Sequence, residues 1–330
     1  MALFKNKRVS NNKLSGSEKK VSFSLPTIGV LGIILIVFFV FLSFATDKFL
    51  TIGNLGNLAR QTSIVGIIAI GMTFVIVSAG IDLSVGSVLA LGGIVGSMMM
   101  RAGYPILLSI FVAILVGIVV GLINGVIIND MKVTPFIATL GMMYIVRAFI
   151  LFITNAEYIS PIPKSFIKFA ADSYFYIPTL FIIWIILVAI AFIVSKYTLL
   201  GRNIFAMGCN KEAARLSGIN IRKNTYMVYI IVAALAAFAG VLTAGRLATG
   251  LPLAGTGYEL QVIAAVVVGG GSLFGGEGTI IGTLLGALLI ATIHNGGNLL
   301  GINPHILSII IGALIIFSVY MDQLSKSRRI

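Results

Sequence analysis

Apolar runs long enough, or nearly long enough, to cross a bilayer alternate with short polar or glycine-rich breaks along almost the whole chain. A helix that crosses a hydrocarbon core of roughly 30 Å needs about 20 residues. The pattern predicts ten helices, near residues 26–45, 62–79, 84–100, 104–128, 133–153, 177–195, 225–245, 258–273, 279–298 and 304–320, hence an all-α membrane protein. The first run, Pro26 to Ala45, follows a basic segment as a secretory signal would. It is too long for a signal core, and Phe44-Ala-Thr-Asp-Lys48 offers a poor cleavage site, so it is expected to remain as a helix.

Two breaks stand out. Ala79 to Ser84 and Gly269 to Gly278 each split an apolar stretch, and each is either a tight loop or a helix interrupted within the membrane. Spaced glycines follow both, with Gly86, Gly92, Gly93 and Gly96 after the first and Gly278, Gly282 and Gly286 after the second. Small residues at such spacing let helix backbones approach closely in lipid. The similarity also fits a duplicated hairpin, and repeats of that kind meet at substrate paths in transporters.

Charge sets the topology. Ten crossings put both termini on one side. Alternate segments then hold sixteen Lys and Arg on the side of the termini against six on the other, which predicts that both termini are cytoplasmic. The expected organisation is a basic N-terminal tail over 1–25, a membrane domain over 26–320 with its longest inner loop at 196–224, and a basic tail over 321–330. Arg147 alone falls inside a span, near the outer end of its helix, where snorkelling to the interface would relieve it. The net charge of +13 therefore reads as an orientation signal that also touches anionic lipid, and not as a nucleic-acid surface. With 58% hydrophobic and 10% charged residues, water is not the main solvent.

Little covalent chemistry can be built from this sequence. Cys209 is the single cysteine, so no disulfide or thiolate metal site forms within one chain. The two histidines, His294 and His305, stand alone and read as structural or interfacial. There is no Gly-Lys pair, so the chain carries no phosphate-binding loop of the P-loop kind. An ion-coupled transporter needs titrating groups inside its helices. Asp82 is the best candidate, although an Asp just before Ser84 and a helix is also a natural N-terminal cap. In the inner loop, Asn210 can cap a short helix through Ala213, Ala214, Arg215 and Leu216 that Gly218 ends. Such an exposed helix, fixed between two spans, is either an orientation-setting basic loop or the contact for a separate motor.

The ordered blocks Ser78-Ala-Gly-Ile-Asp-Leu-Ser-Val-Gly-Ser87, Gly121-Leu-Ile-Asn-Gly125, Thr134-Pro-Phe-Ile-Ala-Thr-Leu-Gly141 and Gly201-Arg-Asn-Ile-Phe-Ala-Met-Gly208 form a pattern with three later ones. These are Ala213-Ala-Arg-Leu-Ser-Gly-Ile219, Gly255-Thr-Gly-Tyr-Glu-Leu260 and Val267-Val-Gly-Gly-Gly-Ser-Leu-Phe-Gly-Gly-Glu-Gly278. Together they resemble the permeases of bacterial ribose-type carbohydrate ABC importers, and more distantly branched-chain amino acid permeases. The resemblance covers nearly all of the chain after the N-terminal segment.

It implies a multi-pass protein of the bacterial plasma membrane that is not itself an enzyme and binds no cofactor, ATP and magnesium residing on a partner ATPase. Its other implied partners are an extracytoplasmic sugar-binding protein and a second permease subunit, identical or homologous. By analogy Gly201, Arg202, Asn203, Gly208, Ala213, Ala214, Arg215, Gly218 and Ile219 would dock on the ATPase. Asp82, Ser84, Asn124, Gly269, Gly270 and Ser272 would border the path. Arg60, Lys164, Lys168, Arg246 and Glu259 would meet the binding protein. Ribose or a similar monosaccharide is the implied solute. A furanone signal, inositol, a nucleoside or an amino acid stays open, as does an ion-coupled transporter or channel.

Overall fold

A computed structural model describes residues 27–327, and the N-terminal tail expected over 1–25 lies outside them, as do 328–330. In chain order the described residues form α1 (Thr27–Ala45), α2 (Ile52–Val77), α3 (Val85–Arg101), α4 (Ile106–Asn129), α5 (Pro135–Thr154) and α6 (Lys164–Ala171). A two-stranded hairpin follows, β1 (Ser173–Tyr174) and β2 (Ile177–Pro178), antiparallel. The rest is α7 (Thr179–Tyr197), α8 (Leu199–Cys209), α9 (Lys211–Leu216), α10 (Ile221–Leu247), α11 (Tyr258–Val268), α12 (Ile280–Leu299) and α13 (Pro304–Ser327).

Eight helices, α1, α2, α4, α5, α7, α10, α12 and α13, are long and apolar enough to cross a membrane, while α3 and α11 are apolar but shorter. These ten occupy the ten predicted places, with informative differences at their ends. Helix α2 begins at Ile52 and not near 62, because Thr51 accepts the Asn54 N–H at 3.3 Å and starts the helix through a polar first stretch. Helix α11 stops at Val268, before the expected 273, since the chain turns at Gly270 with a left-handed φ of 89°. Helix α13 runs on to Ser327, so most of the expected C-terminal tail is helix.

Helix α2 is the axis of the bundle. It is buried continuously from Thr62 to Val77 and is surrounded by α7, α10, α11 and α12. In lipid there is no hydrophobic gain from helix pairing, so the close contacts rest on small residues. Gly92 and Gly93 of α3 lie against the backbone of Ala237 and Gly240 in α10, and Gly117, Gly121 and Gly125 of α4 run along α10 from Ala233 to Tyr226. A Cβ on Gly240 would collide with the Leu89 carbonyl. Gly66 leaves room for the buried Trp184 ring. Around this core, α1, α4, α7 and α13 turn large apolar side chains outward, among them Ile36, Phe111, Ile190 and Ile309.

The bundle has two ends. One carries α8, α9, the 269–278 loop and the start of α10. The other carries α6, whose Phe166 packs on Gly245 near the end of α10, with the hairpin and the start of α2.

Two connectors interrupt the bundle. Residues 78–84 join α2 to α3. Residues 248–257 join α10 to α11 and run back into the bundle beside α3, Gly250 lying on Ser97 and Gly255 on Gly86. From Ser97 to Gly86 is about 16 Å of helix.

Candidate functional site

The 78–84 connector ends in a closed polar cluster. Asp82 Oδ1 accepts the backbone N–H of Ser84 at 2.8 Å and its hydroxyl at 2.6 Å, and Asn124 Nδ2 donates to Ser84 Oγ at 3.1 Å. Thr139 Oγ1 accepts the Leu83 N–H at 3.1 Å, and the Tyr229 hydroxyl donates to the Ile81 carbonyl at 3.4 Å. Asp82 was open to reading as a group bordering the path or as a helix cap, and a cap is not the role it takes. It instead folds the turn ahead of α3, an Asp side chain taking the N–H two residues on. The residue at the cap position is Ser84, whose side chain makes no capping bond. Asp82, Ser84 and Asn124 are wholly buried, and Asp82 Oδ2 and Asn124 Oδ1 have no hydrogen-bond partner.

Gly269, Gly270 and Ser272 form a separate loop at the α8 end. Gly269 packs on the Gly282 carbonyl, and Ser272 Oγ donates to Asp322 Oδ2 of α13 at 2.7 Å. Gly270 is exposed and lines a cleft of about 470 Å³ with Val267, Gly271 and Phe317. The six residues expected along a path are thus split between a buried cluster and this loop.

The 196–224 segment is more ordered than the sequence suggests. Besides α9, it holds α8, which Thr198 caps by accepting the Gly201 N–H at 3.3 Å. Asn210 caps α9 as expected, taking the Ala213 N–H at 2.9 Å, and Gly218 leaves the helix with φ 83°. Arg215 and Glu212 form an exposed ion pair at 2.5 Å, and this hydrogen-bonded cation holds the Glu212 carboxyl below its ordinary value.

Gly208 is the closest packing point of this end. A Cβ there would land on the Val77 carbonyl and within 2.6 Å of the Gly276 nitrogen, whose N–H in turn donates to Val77 O at 2.8 Å. Three backbones, from α2, α8 and the 269–278 loop, therefore meet without side chains between them. Gly201 is packed in the same way on Ser195 O. Arg202 and Arg215 are exposed, Asn203 and Ile219 half-buried, and Ala214 buried beside the exposed Ala213.

Sequence reasoning missed three parts of this surface. Asp130 at the end of α4 accepts from the Tyr226 hydroxyl and, at 2.8 Å, from Arg222 Nη2, stapling α4 to α10. Those bonds, Tyr226 first, hold its carboxyl below the ordinary value. Lys132 joins Lys211, Arg215 and Arg222 around a cleft of about 530 Å³ beside α9. Leu216 is 74% exposed at the end of α9. An acid among basic loop residues and a leucine in a polar helix were the available signals.

At the opposite end, Lys164 and Lys168 project from α6 and are exposed. Arg60, expected in a loop, lies on α2 and is tied down, donating to the Ala171 carbonyl at 2.8 Å and Ser173 Oγ at 2.9 Å. Arg246 is half-buried at the end of α10. Glu259 is not on the rim, because it sits in the first turn of α11 beside Gly86, accepting the Gly257 N–H at 3.1 Å. Arg147 does not snorkel either. Its Nη1 donates to the carbonyls of Pro252 at 2.8 Å and Ala254 at 2.9 Å, which turns the guanidinium toward the connector inside the bundle. Among the described residues no three His, Cys, Asp or Glu side chains gather to hold a metal ion.

Comparison with known proteins points one way. The family model described as branched-chain amino acid transport system / permease component matches residues 54–319. The chain is 43% identical over 255 residues to the ribose import permease protein RbsC of Haemophilus influenzae, covering 75% of this chain and 78% of that protein. It is 42% identical over 250 residues to RbsC of Bacillus subtilis, with the same coverages of 75% and 78%. It is 39% identical over 250 residues to the D-allose transport system permease protein AlsC of Escherichia coli, covering 76% of this chain and 77% of that one. No solved structure matches it significantly.

Proposed function

Since the chain belongs to the branched-chain amino acid transport system / permease component family, we propose that it is the membrane-spanning permease subunit of an ABC importer that carries ribose or a similar monosaccharide. It is a multi-pass inner-membrane protein and a transport component, not an enzyme. The observation that carries the solute class is the similarity, at about two fifths identity, to permeases named for ribose in two organisms.

In this reading the chain crosses the bilayer ten times, the shorter α3 and α11 completing their passes with the 78–84 and 248–257 connectors, and the α8/α9 end is cytoplasmic, as the basic residues Lys132, Lys196, Arg202, Lys211, Arg215, Arg222 and Lys223 favour. Both termini then lie in the cytoplasm. A partner ATPase holds ATP and magnesium and docks on α8, α9 and the cleft beside Lys132. A sugar-binding protein delivers solute to the α6 end, where Lys164 and Lys168 steer the encounter. Two permease subunits enclose the path between them.

Mechanically, the meeting of Val77, Gly208 and Gly276 supports a rigid link. ATP-driven movement of α8 reaches α2 and the 269–278 loop without a compressible side chain in between. The deciding experiment is purification of the tagged chain from native membranes, followed by uptake of labelled ribose into proteoliposomes loaded with ATP. Recovery of a P-loop ATPase and a binding protein, with uptake that stops when ATP is omitted, is the expected result. Purification of the chain with itself alone, and flux that ignores ATP, would replace this reading with a channel or secondary transporter.

A further inference from the structure

The connector between α10 and α11, with Tyr144 of α5, has properties that lipid does not tolerate. Its descent beside α3 places Gly255 next to Gly86, about 22 Å of helix from Arg101 at the α6 end, in a hydrocarbon core of roughly 30 Å. Residues 248–257 form no helix, and by the length of α3 beside them those nearest Gly86 fall within the span of a bilayer. Non-helical backbone is found at that depth only where protein buries it or water lines it.

One side of the connector is buried. Gly255 packs on Gly86 and Leu89, Gly250 packs on Ser97, and Arg147 covers the carbonyls of Pro252 and Ala254. The other side is open. Leu253 is 64% and Leu260 54% exposed, and Thr256 is exposed with its hydroxyl turned to the Leu253 carbonyl at 2.9 Å.

Tyr144 independently marks the same region. It is tenth of the twenty residues of α5, one turn from Arg147, and 67% exposed. Either end of α5 is about 15 Å away, beyond the reach of a phenol. A hydroxyl there faces hydrocarbon unless the face is wet or covered. By contrast α1, α4 and α7 expose only apolar side chains through their middle turns.

We propose that the open face of residues 253–260, with Tyr144 beside it, is the wet wall of the translocation path and contacts the hydroxyl-rich solute. The inference rests on the importer reading above and moves the path away from the buried Asp82 cluster. Thr256 and Tyr144 offer hydroxyls, Glu259 a carboxylate at the edge, and the Tyr144 ring a flat surface for the C–H face of a sugar. Few, separate contacts suit a solute that must leave.

The test is thiol labelling in the assembled transporter in proteoliposomes. Thr256→Cys and Tyr144→Cys are treated with a charged, membrane-impermeant thiol reagent, with Ile309→Cys on the outward face of α13 as the lipid control. Peptide mass spectrometry separates these labels from that on Cys209. A thiol reacts as its thiolate, which forms in water and not in hydrocarbon, so both positions are expected to label at least ~10-fold faster than Ile309→Cys. Either position labelling as slowly as the control overturns the proposal. So does cross-linking through position 256 between two copies without labelling, which gives that face to the second subunit. Uptake that ignores ATP while the labelling pattern holds would remove the importer reading and leave the wet wall standing.

Discussion

Single atoms decide much at two places. The Gly208 hydrogen stands where any larger group would strike the Val77 carbonyl. Gly208→Val is therefore expected to push α8 off the end of α2 and to lower both the amount of folded chain in the membrane and ATP-driven ribose uptake, since overpacking against backbone is destabilising. Western blotting of membranes and uptake assays separate the two effects. Gly218 is different, because open space surrounds it and only its left-handed φ of 83° resists a side chain. Gly218→Ala is expected to cost about 1–2 kcal/mol locally, read as a modest rise in proteolysis at the α9–α10 turn. In the buried cluster, Asn124→Ala removes the donor to Ser84 Oγ and leaves that oxygen short of a partner. About 1–3 kcal/mol of stability is expected to go, measured as a lower melting temperature in detergent.

Among elements, α9 and the α4–α10 staple lend themselves to measurement. Asn210→Ala takes away the α9 cap, at about 1 kcal/mol, and is expected to increase hydrogen exchange over 211–216. Asp130 has a lowered carboxyl pKa, so its stapling contribution is complete above the ordinary carboxylate value and is lost only as pH falls through the lowered one. Melting curves of Asp130→Asn and the unaltered chain are expected to stay a constant distance apart across neutral pH and to converge in strong acid.

Element identity was legible in the apolar runs, and the Asn210 cap in a single side chain followed by Ala-Ala-Arg-Leu. The start of α2 was hidden by Asn54, Asn57, Arg60 and Gln61, polar residues that break an apolar run without breaking a helix. Helix α8 was hidden because its glycines at 201 and 208 serve close packing and read as loop. Arg147 and Glu259 were misplaced for one reason. Helical periodicity gives no sign that the 248–257 connector turns back into the bundle to meet them.

At the scale of the whole molecule, the proposed orientation predicts that a fluorescent protein fused after Ile330 glows, as it matures in the cytoplasm, and that an alkaline phosphatase fused there is inactive. The reverse pair of results would invert the topology. Packing within the bundle answers to the same small residues throughout. Gly240→Val forces α3 and α10 apart at the Leu89 carbonyl and is expected to lower stability by about 1–3 kcal/mol or more, seen as loss of the monodisperse peak in size exclusion.

The three-backbone junction at Val77 lies at the foot of the most enclosed helix, far from the surfaces that touch acyl chains. In the proposed importer, a stroke delivered there would move the axle and leave the rim at rest. Turnover is therefore expected to be nearly indifferent to acyl-chain length and membrane viscosity, so that the importer keeps its speed when the cell remodels its lipids for a change in temperature.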